Sequence, residues 1–263
     1  MMAEVIRSAK SRSVWTRIEL MAYNIKIVPQ TPEQFFGAAA ARVSLAELDP
    51  LIITGSADTA NLSDTALRYL TYLDIAADAS QETLIDEFSL QTLDLLGYSE
   101  RGLALFNRYN IPNRGNGKNA ETDVCLVDAR TMILLMLQED KTVFSSSNPE
   151  PQVVAEAIAA YQYNNDKRER MGMTTLDKMV LPCITMVGTR PTFYLVPVNR
   201  ALNNAVTGMT GHYPHEPTEV WKCVTDAGHN RGSMEKPEYR RVALERFMAF
   251  RTLAKNHWEK FLM

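Results

Sequence analysis

The sequence predicts an α/β protein with a mixed central sheet flanked by helices and helical additions at both ends. Three observations carry that expectation. Through the middle of the chain, apolar patterns with helical and strand periods follow one another in the order helix, three strands, helix, two strands. One of those runs, "MILLML", is apolar on both faces, as an interior strand is. The 263 residues, 46% hydrophobic and 22% charged, have ordinary globular composition and suffice for one sizeable core.

Residues 1–80 read as a helical extension packed on the core. Thr31-Pro32-Glu33 opens a short helix and Ser63 opens a longer one, "LSDTALRYLTYLDIA", with Pro50 and Gly55 as punctuation. The core spans 81–200. Its first helix, "QETLIDEFSLQTLDLLG", ends at Gly97, a residue suited to the left-handed stop. "GLALFNRYNIP" alternates as a strand, "NRGNGKNA" is rich in turn residues, and Glu121 to Lys141, "ETDVCLVDARTMILLMLQEDK", forms a strand hairpin turning at Ala129-Arg130-Thr131. Asn148 as N-cap, Pro149 at the first helical position and Glu150 behind it start a second core helix. "MVLPCITMVGT" and "RPTFYLVPV" are two more strands. Residues 201–263 form a helical C-terminal extension, closed by the long amphipathic helix "KPEYRRVALERFMAFRTLAKNHWEKFLM".

No run of about 18 apolar residues exists and the first residues lack a secretion signal, so an intracellular protein of the cytoplasm or nucleus, without a membrane partner, is expected. Glu4 and Glu19 argue against a transit peptide. Cys125, Cys183 and Cys223 are odd in number and in unrelated contexts, which fits free thiols packed as small hydrophobes in a reducing compartment. A net charge of −3 gives no global attraction to nucleic acid, so such a partner would be held by local basic patches.

The hairpin raises a question of cost, because its apolar arms end in Asp123 on one side and Glu139-Asp140-Lys141 on the other. Alternation puts Glu139 and Lys141 on one strand face. With the turn at Ala129-Arg130-Thr131, Asp123 lies opposite Leu137 and one diagonal step from Glu139, roughly 7–8 Å between Cα atoms. A one-residue slip would send it to the other face. Two carboxylates that close can share a cation, and magnesium takes oxygen ligands while keeping several waters. Lys141 beside such an ion would orient a water or stabilise charge growing on a phosphate. On the first core helix, Glu82 shares an edge with Ile85, Ser89, Leu93 and Leu96 and is placed to reach inward.

A helix with Glu82, a strand with Asp123, a strand ending Glu139-Asp140-Lys141 and a helix beginning near Gln152 resemble the core of the PD-(D/E)XK nuclease superfamily, over about Gln81 to Val198. The chain also resembles uncharacterised fungal proteins that share "QEDK" and "AEAIAAYQYNN". The resemblance implies an αβββαβ restriction-endonuclease-like core and a hydrolase that cleaves phosphodiester bonds, in DNA more than RNA. It implies magnesium, or manganese, on Asp123, Glu139, the carbonyl of Asp140 and Glu82. Lys141 would then assist hydrolysis, and Gln152 or Glu156 would touch the site from the second helix. No proline precedes Asp123, which departs from the family's motif.

Other readings stand beside this one. The charged hairpin end suits a surface ion pair screening a strand edge, in an inactive binding or regulatory module with this fold. "NRGNGKN" with Lys118 lacks the Ser or Thr of a phosphate loop and reads better as a strand connection. His212, His215, Cys223 and His229 have zinc-binding side chains but match no common finger spacing. On the last helix, Arg240, Arg241, Arg246, Arg251, Lys255 and Lys260, together with Lys167, Arg168 and Arg170, are candidates for phosphate contacts. A protein partner or homo-oligomer is compatible with the helical termini.

Overall fold

The computed structural model describes residues 15–78, 82–100, 102–111, 120–130, 132–140, 148–210, 212–225 and 232–261, with only the backbone described at 41, 42, 82, 120, 121 and 138–140. The elements are α1 (Arg17–Ala22), β1 (Ile25–Pro29), α2 (Pro32–Phe36), α3 (Pro50–Thr54), α4 (Asp64–Ala77), α5 (Glu82–Leu95), β2 (Leu103–Ile111), β3 (Ala120–Asp128), β4 (Ile133–Asp140), α6 (Glu150–Arg170), β5 (Lys178–Val187), β6 (Arg190–Asn199), α7 (Arg200–Val206), β7 (Thr218–Val224) and α8 (Pro237–Trp258). The expected starts of α2 and α4 hold. Thr31 closes a capping box on α2 and the Ser63 side chain caps α4. Gly97, at φ 71°, ends α5 with Tyr98 N–H bonded back to the Leu93 carbonyl at 3.0 Å. Helix α6 begins at Glu150 with Pro149 in the cap position, one residue later than expected, and the Asn148 side chain accepts from the Glu150 N–H at 3.2 Å.

Seven strands form one open mixed sheet in the order β1-β7-β6-β5-β4-β3-β2. β2, β3 and β4 make an antiparallel meander, and α6 crosses over so that β5 runs parallel to β4. β6 and β7 continue antiparallel, and β1 closes the far edge parallel to β7. The two terminal segments are therefore not purely helical, since each adds a strand to this edge. "IKIVP" is short and ends in proline, and "TEVWKCV" mixes charges with apolar residues, so neither stands out as a strand until its neighbour is present.

Register sorts the sheet into two faces. Phe106, Cys125, Met136, Cys183, Tyr194 and Lys222 pair across six strands. Lys222 Nζ reaches Glu150 of α6 at 2.7 Å, which puts α6 on this face. The adjacent row is Asn107, Val124, Leu137, Ile184, Phe193 and Cys223. Phe193 packs against Phe36, Phe247 and Phe250, and Asn107 Nδ2 donates to Glu87 Oε1 at 2.6 Å, so α2, α8 and α5 cover the second face. Hydrophobic residues from Leu20 to Phe261 join one core cluster.

One irregularity decides what the hairpin can do. Val127 pairs with Ile133 as the expected turn requires, but Leu126 pairs with Leu135, leaving Leu134 as an extra residue. Val124 then faces Leu137, a shift of one from the expected partner Asp123. The Asp128 carboxylate shapes the turn by accepting from the N–H groups of Arg130 and Met132 at 3.0 and 2.8 Å. Beside the extra residue, fully buried Asn164 of α6 accepts from Ile133 N–H and donates to Ile133 C=O, each at 2.8 Å. Its amide does the work of a neighbouring strand.

The bases of α8 are also placed differently from the phosphate-contact expectation. Arg240, 2% exposed, donates to the carbonyls of Ile52, Gly55, Met234 and Glu235, tying α3 to α8. Arg246 donates to the Val224 carbonyl, and Arg251 and Lys255 share Glu100. Orphan carbonyls at helix and strand ends attract these donors.

Replacing Asn164 with Ala leaves two buried backbone groups unpaired at about 1–3 kcal/mol each, so a loss of roughly 2–6 kcal/mol is expected. Urea unfolding measures it, and a change below about 1 kcal/mol would show that the bulge needs no such support.

Candidate functional site

The start of β3 and the end of β4 lie at the same end of the sheet because the two strands are antiparallel, and β5 ends there too because it is parallel to β4. Asp123 is half-buried in β3, two residues before Cys125 and thus in the α6-side row. Glu139 and Asp140 are the last two positions of β4 and pair through the backbone with Met186 and Val187. Carried one step beyond Val124 and Leu137, the register sets Asp123 across from position 138. Position 140, not 139, is then its diagonal neighbour. The premise that Asp123 and Glu139 share a face does not survive the bulge at Leu134. Glu82 opens α5 on the other face, and its side chain, with those of Glu139 and Asp140, is outside the described set; Lys141 lies outside the described residues altogether.

From α6, Gln152 is half-buried and stands two residues from Glu150, which is anchored on β7. Glu156, 3% exposed, comes closer to the hairpin, lining a narrow gap with Met136, Val153, Cys183 and Ile184 that has no room for a water molecule. Burial, with Glu156 beside it, pushes the Cys183 thiol well above its ordinary range. Burial pushes Cys125 up to about 12 and raises Cys223 as well, so all three thiols are poor nucleophiles.

Sequence reasoning passed over Asp86. It is 4% exposed on α5, one turn beyond Glu82, with Ser89 and Thr122 both fully buried at the α5-side interface. Among the described residues, the hydroxyls of Ser89 and Thr122 have no hydrogen-bond partner. The i, i+4 spacing from Glu82 and the i, i+3 spacing to Ser89 were the available signal. Thr122 immediately precedes Asp123 on the chain.

The zinc reading is not supported by the placement of its residues. His212 and His215 rings are 5.4 Å apart, while Cys223 is buried at the opposite end of β7 from them and His229 lies outside the described residues. Among the described residues, no group of three or more His, Cys, Asp or Glu is arranged to hold a metal. The segment with Lys118 also lies outside the described residues. No described helix is long and apolar enough to cross a membrane. Compared with known proteins, the chain matches no family model and no curated protein.

Two measurements probe the packing around these residues. Burial works against ionised Glu150, but hydrogen bonds from Lys222 and Asn148 outweigh it and hold the carboxyl below its ordinary 4.5. A lowered folded-state value gives stability that is complete above 4.5 and fades as pH falls through that lower value. Glu150→Gln should therefore be less stable than wild type near neutrality, with the gap closing below 4.5 in urea midpoints taken across acid pH. A gap that stays constant with pH would assign the loss to packing alone. Thr122→Val keeps the shape and removes an unpaired hydroxyl, so the thermal midpoint should hold or rise; a loss beyond about 1 kcal/mol would mean that the hydroxyl has a bound partner.

Proposed function

We propose that the chain is a metal-dependent, nuclease-like phosphodiesterase that hydrolyses nucleic acid, with DNA as the favoured substrate. The observation that carries this reading is the connectivity at β4. An α5 helix, the β2-β3-β4 meander, the α6 crossover and β5 parallel to β4 follow the αβββαβ order that the family resemblance implies. That topology brings the start of β3 and the end of β4 together at one end of the sheet. A cluster of acids there has to be offset by something, because uncompensated carboxylates close together at a packed strand end are costly.

Carboxylate and carbonyl oxygens are hard donors of the kind magnesium or manganese selects. Asp123 and Asp140 would hold the ion from the α6 side, and Glu139 and Glu82 would reach it only past the end of the sheet from the other face. Bound there, magnesium would offset charge on the phosphate and make a coordinated water more acidic. Lys141 would position that water and Gln152 would support the site from α6. The register gives position 140 a larger part than its carbonyl alone. The same shift, by separating Asp123 from Glu139, favours the rival reading of a binding or regulatory module that keeps the fold without the chemistry.

Calorimetry with Mg²⁺ and Mn²⁺ on wild type, Asp123→Ala, Glu139→Ala and Asp140→Asn, with plasmid and oligonucleotide cleavage on the same samples, tests the proposal. Asp123→Ala and Glu139→Ala should abolish metal binding and cleavage, and Lys141→Ala should spare binding and stop cleavage. Loss of binding in Asp140→Asn would give that residue a carboxylate role. A wild type that binds neither ion and cuts nothing leaves the rival module.

A further inference from the structure

Strand β2 forms one edge of the sheet, and its residues alternate between covered and exposed. Leu103, Leu105, Asn107 and Tyr109 are partly covered, while Ala104, Phe106, Arg108 and Asn110 are exposed. Phe106 is 43% exposed, a large aromatic face open on a strand. It contacts Tyr109 at 5.6 Å between ring centres, and Tyr109 contacts Tyr163 of α6 at 6.1 Å, with their hydroxyls 2.8 Å apart. Lys167 Nζ stands 5.5 Å from the centre of the Tyr163 ring. The aromatic run thus ends in a cation at α6.

Arg108 lies between Phe106 and Tyr109 on the chain. Its neighbours Asn107 and Tyr109 pair with Val124 and Thr122, so Arg108 is set across from Asp123, the acid on which the proposed metal site is built. No described residue supplies a partner for its guanidinium. Its φ of 53° is left-handed, a costly conformation for arginine. That kink and the charge interrupt the regular edge that a second copy of the strand would need for pairing. Arg168 and Arg170, by contrast, are engaged by the Thr174 carbonyl and by Asp166.

We propose that the exposed face of β2 binds a single-stranded stretch of nucleic acid, with a base stacked on Phe106 and phosphates held by Arg108 and Lys167. Phe106 and Arg108 are two residues apart on the strand, near enough for a stacked base and a neighbouring phosphate of one extended strand. Duplex bases are already stacked on one another and offer Phe106 no face except at an end. The register then delivers the strand bound on Phe106 and Arg108 to Asp123. This inference rests on the phosphodiesterase reading for its placement beside the scissile bond, and its binding test is separate from catalysis.

Fluorescence anisotropy with a labelled oligo-dT and a duplex of equal length, both in EDTA, reads binding without cleavage. Wild type should prefer the single strand, and Phe106→Ala should weaken it about tenfold or more while Phe106→Tyr retains it. Arg108→Ala should weaken binding and reduce the salt dependence by about one unit of slope. Equal affinity for both forms, wild-type binding by Phe106→Ala and Arg108→Ala, or absence of binding overturns the inference. So does a change in sedimentation with these variants in place of a change in binding, which would make the face a contact between copies. Metal-dependent cleavage that persists in any of these cases leaves the phosphodiesterase reading standing; binding without metal uptake or cleavage removes that reading and keeps the binding face.

Discussion

The Asn164 side chain bonded to both backbone groups of Ile133 is the interaction on which the geometry of the sheet's central hairpin depends. A buried strand cannot leave an N–H and a C=O unpaired without a cost comparable to a lost hydrogen bond. β5 pairs with β4 from Met136 onward, so at Ile133 the neighbouring strand is not there to pair. A side-chain amide carries one donor and one acceptor in the spacing of a peptide group, and Asn164 fills the place. With the strand held there, Leu134 can be accommodated as an extra residue, and every pair beyond it is shifted by one. A single amide on α6 thereby bears on which acids at the far end of β3 and β4 are neighbours.

The parallel pairing of β4 and β5 imposes the rest of the layout. Parallel neighbours require a crossover, and α6 supplies it across the face lined by Met136, Cys183, Tyr194 and Lys222. Its first turn is fixed over β7 by Glu150 and Lys222, and its later turns reach Ile133 and Tyr109. The opposite face is closed by α5, α2 and α8 around Phe193. Arg240 binds the carbonyls at the end of α3 to those before α8, so the N-terminal helices are secured by a buried cation whose donors are met by backbone oxygens and not by a carboxylate.

Much of the fold was legible because each element announces itself locally. Thr31, Ser63 and Asn148 signal helix starts through side-chain oxygens, Gly97 signals a stop through its left-handed φ, and "MILLML" signals an interior strand through apolarity on both faces. β1 and β7 were not legible, since their strand character comes from each other and from β6. At the candidate site, the meeting of the start of β3 with the end of β4 was legible from strand order, but the register between them was not. Leu134 looks like any other leucine in an apolar run, and what makes it a bulge is an asparagine thirty residues away. Arg240 and Arg251 read as solvent-facing bases because helical spacing gives no notice of the carbonyls of Ile52, Gly55 and Leu96 that receive them.

Local conflicts in a folded chain gather where function opposes packing. Three stand on β2, β3 and α5. Arg108 holds a left-handed φ on an exposed strand, and Thr122 and Ser89 bury hydroxyls without partners among the described residues. A valine at 122 and an alanine at 89 would pack as well with no polar atom to satisfy, and an ordinary extended residue at 108 would relieve the backbone. Arg108 and Thr122 adjoin Asp123 across the register and along the chain, at the end where β3, β4 and β5 converge.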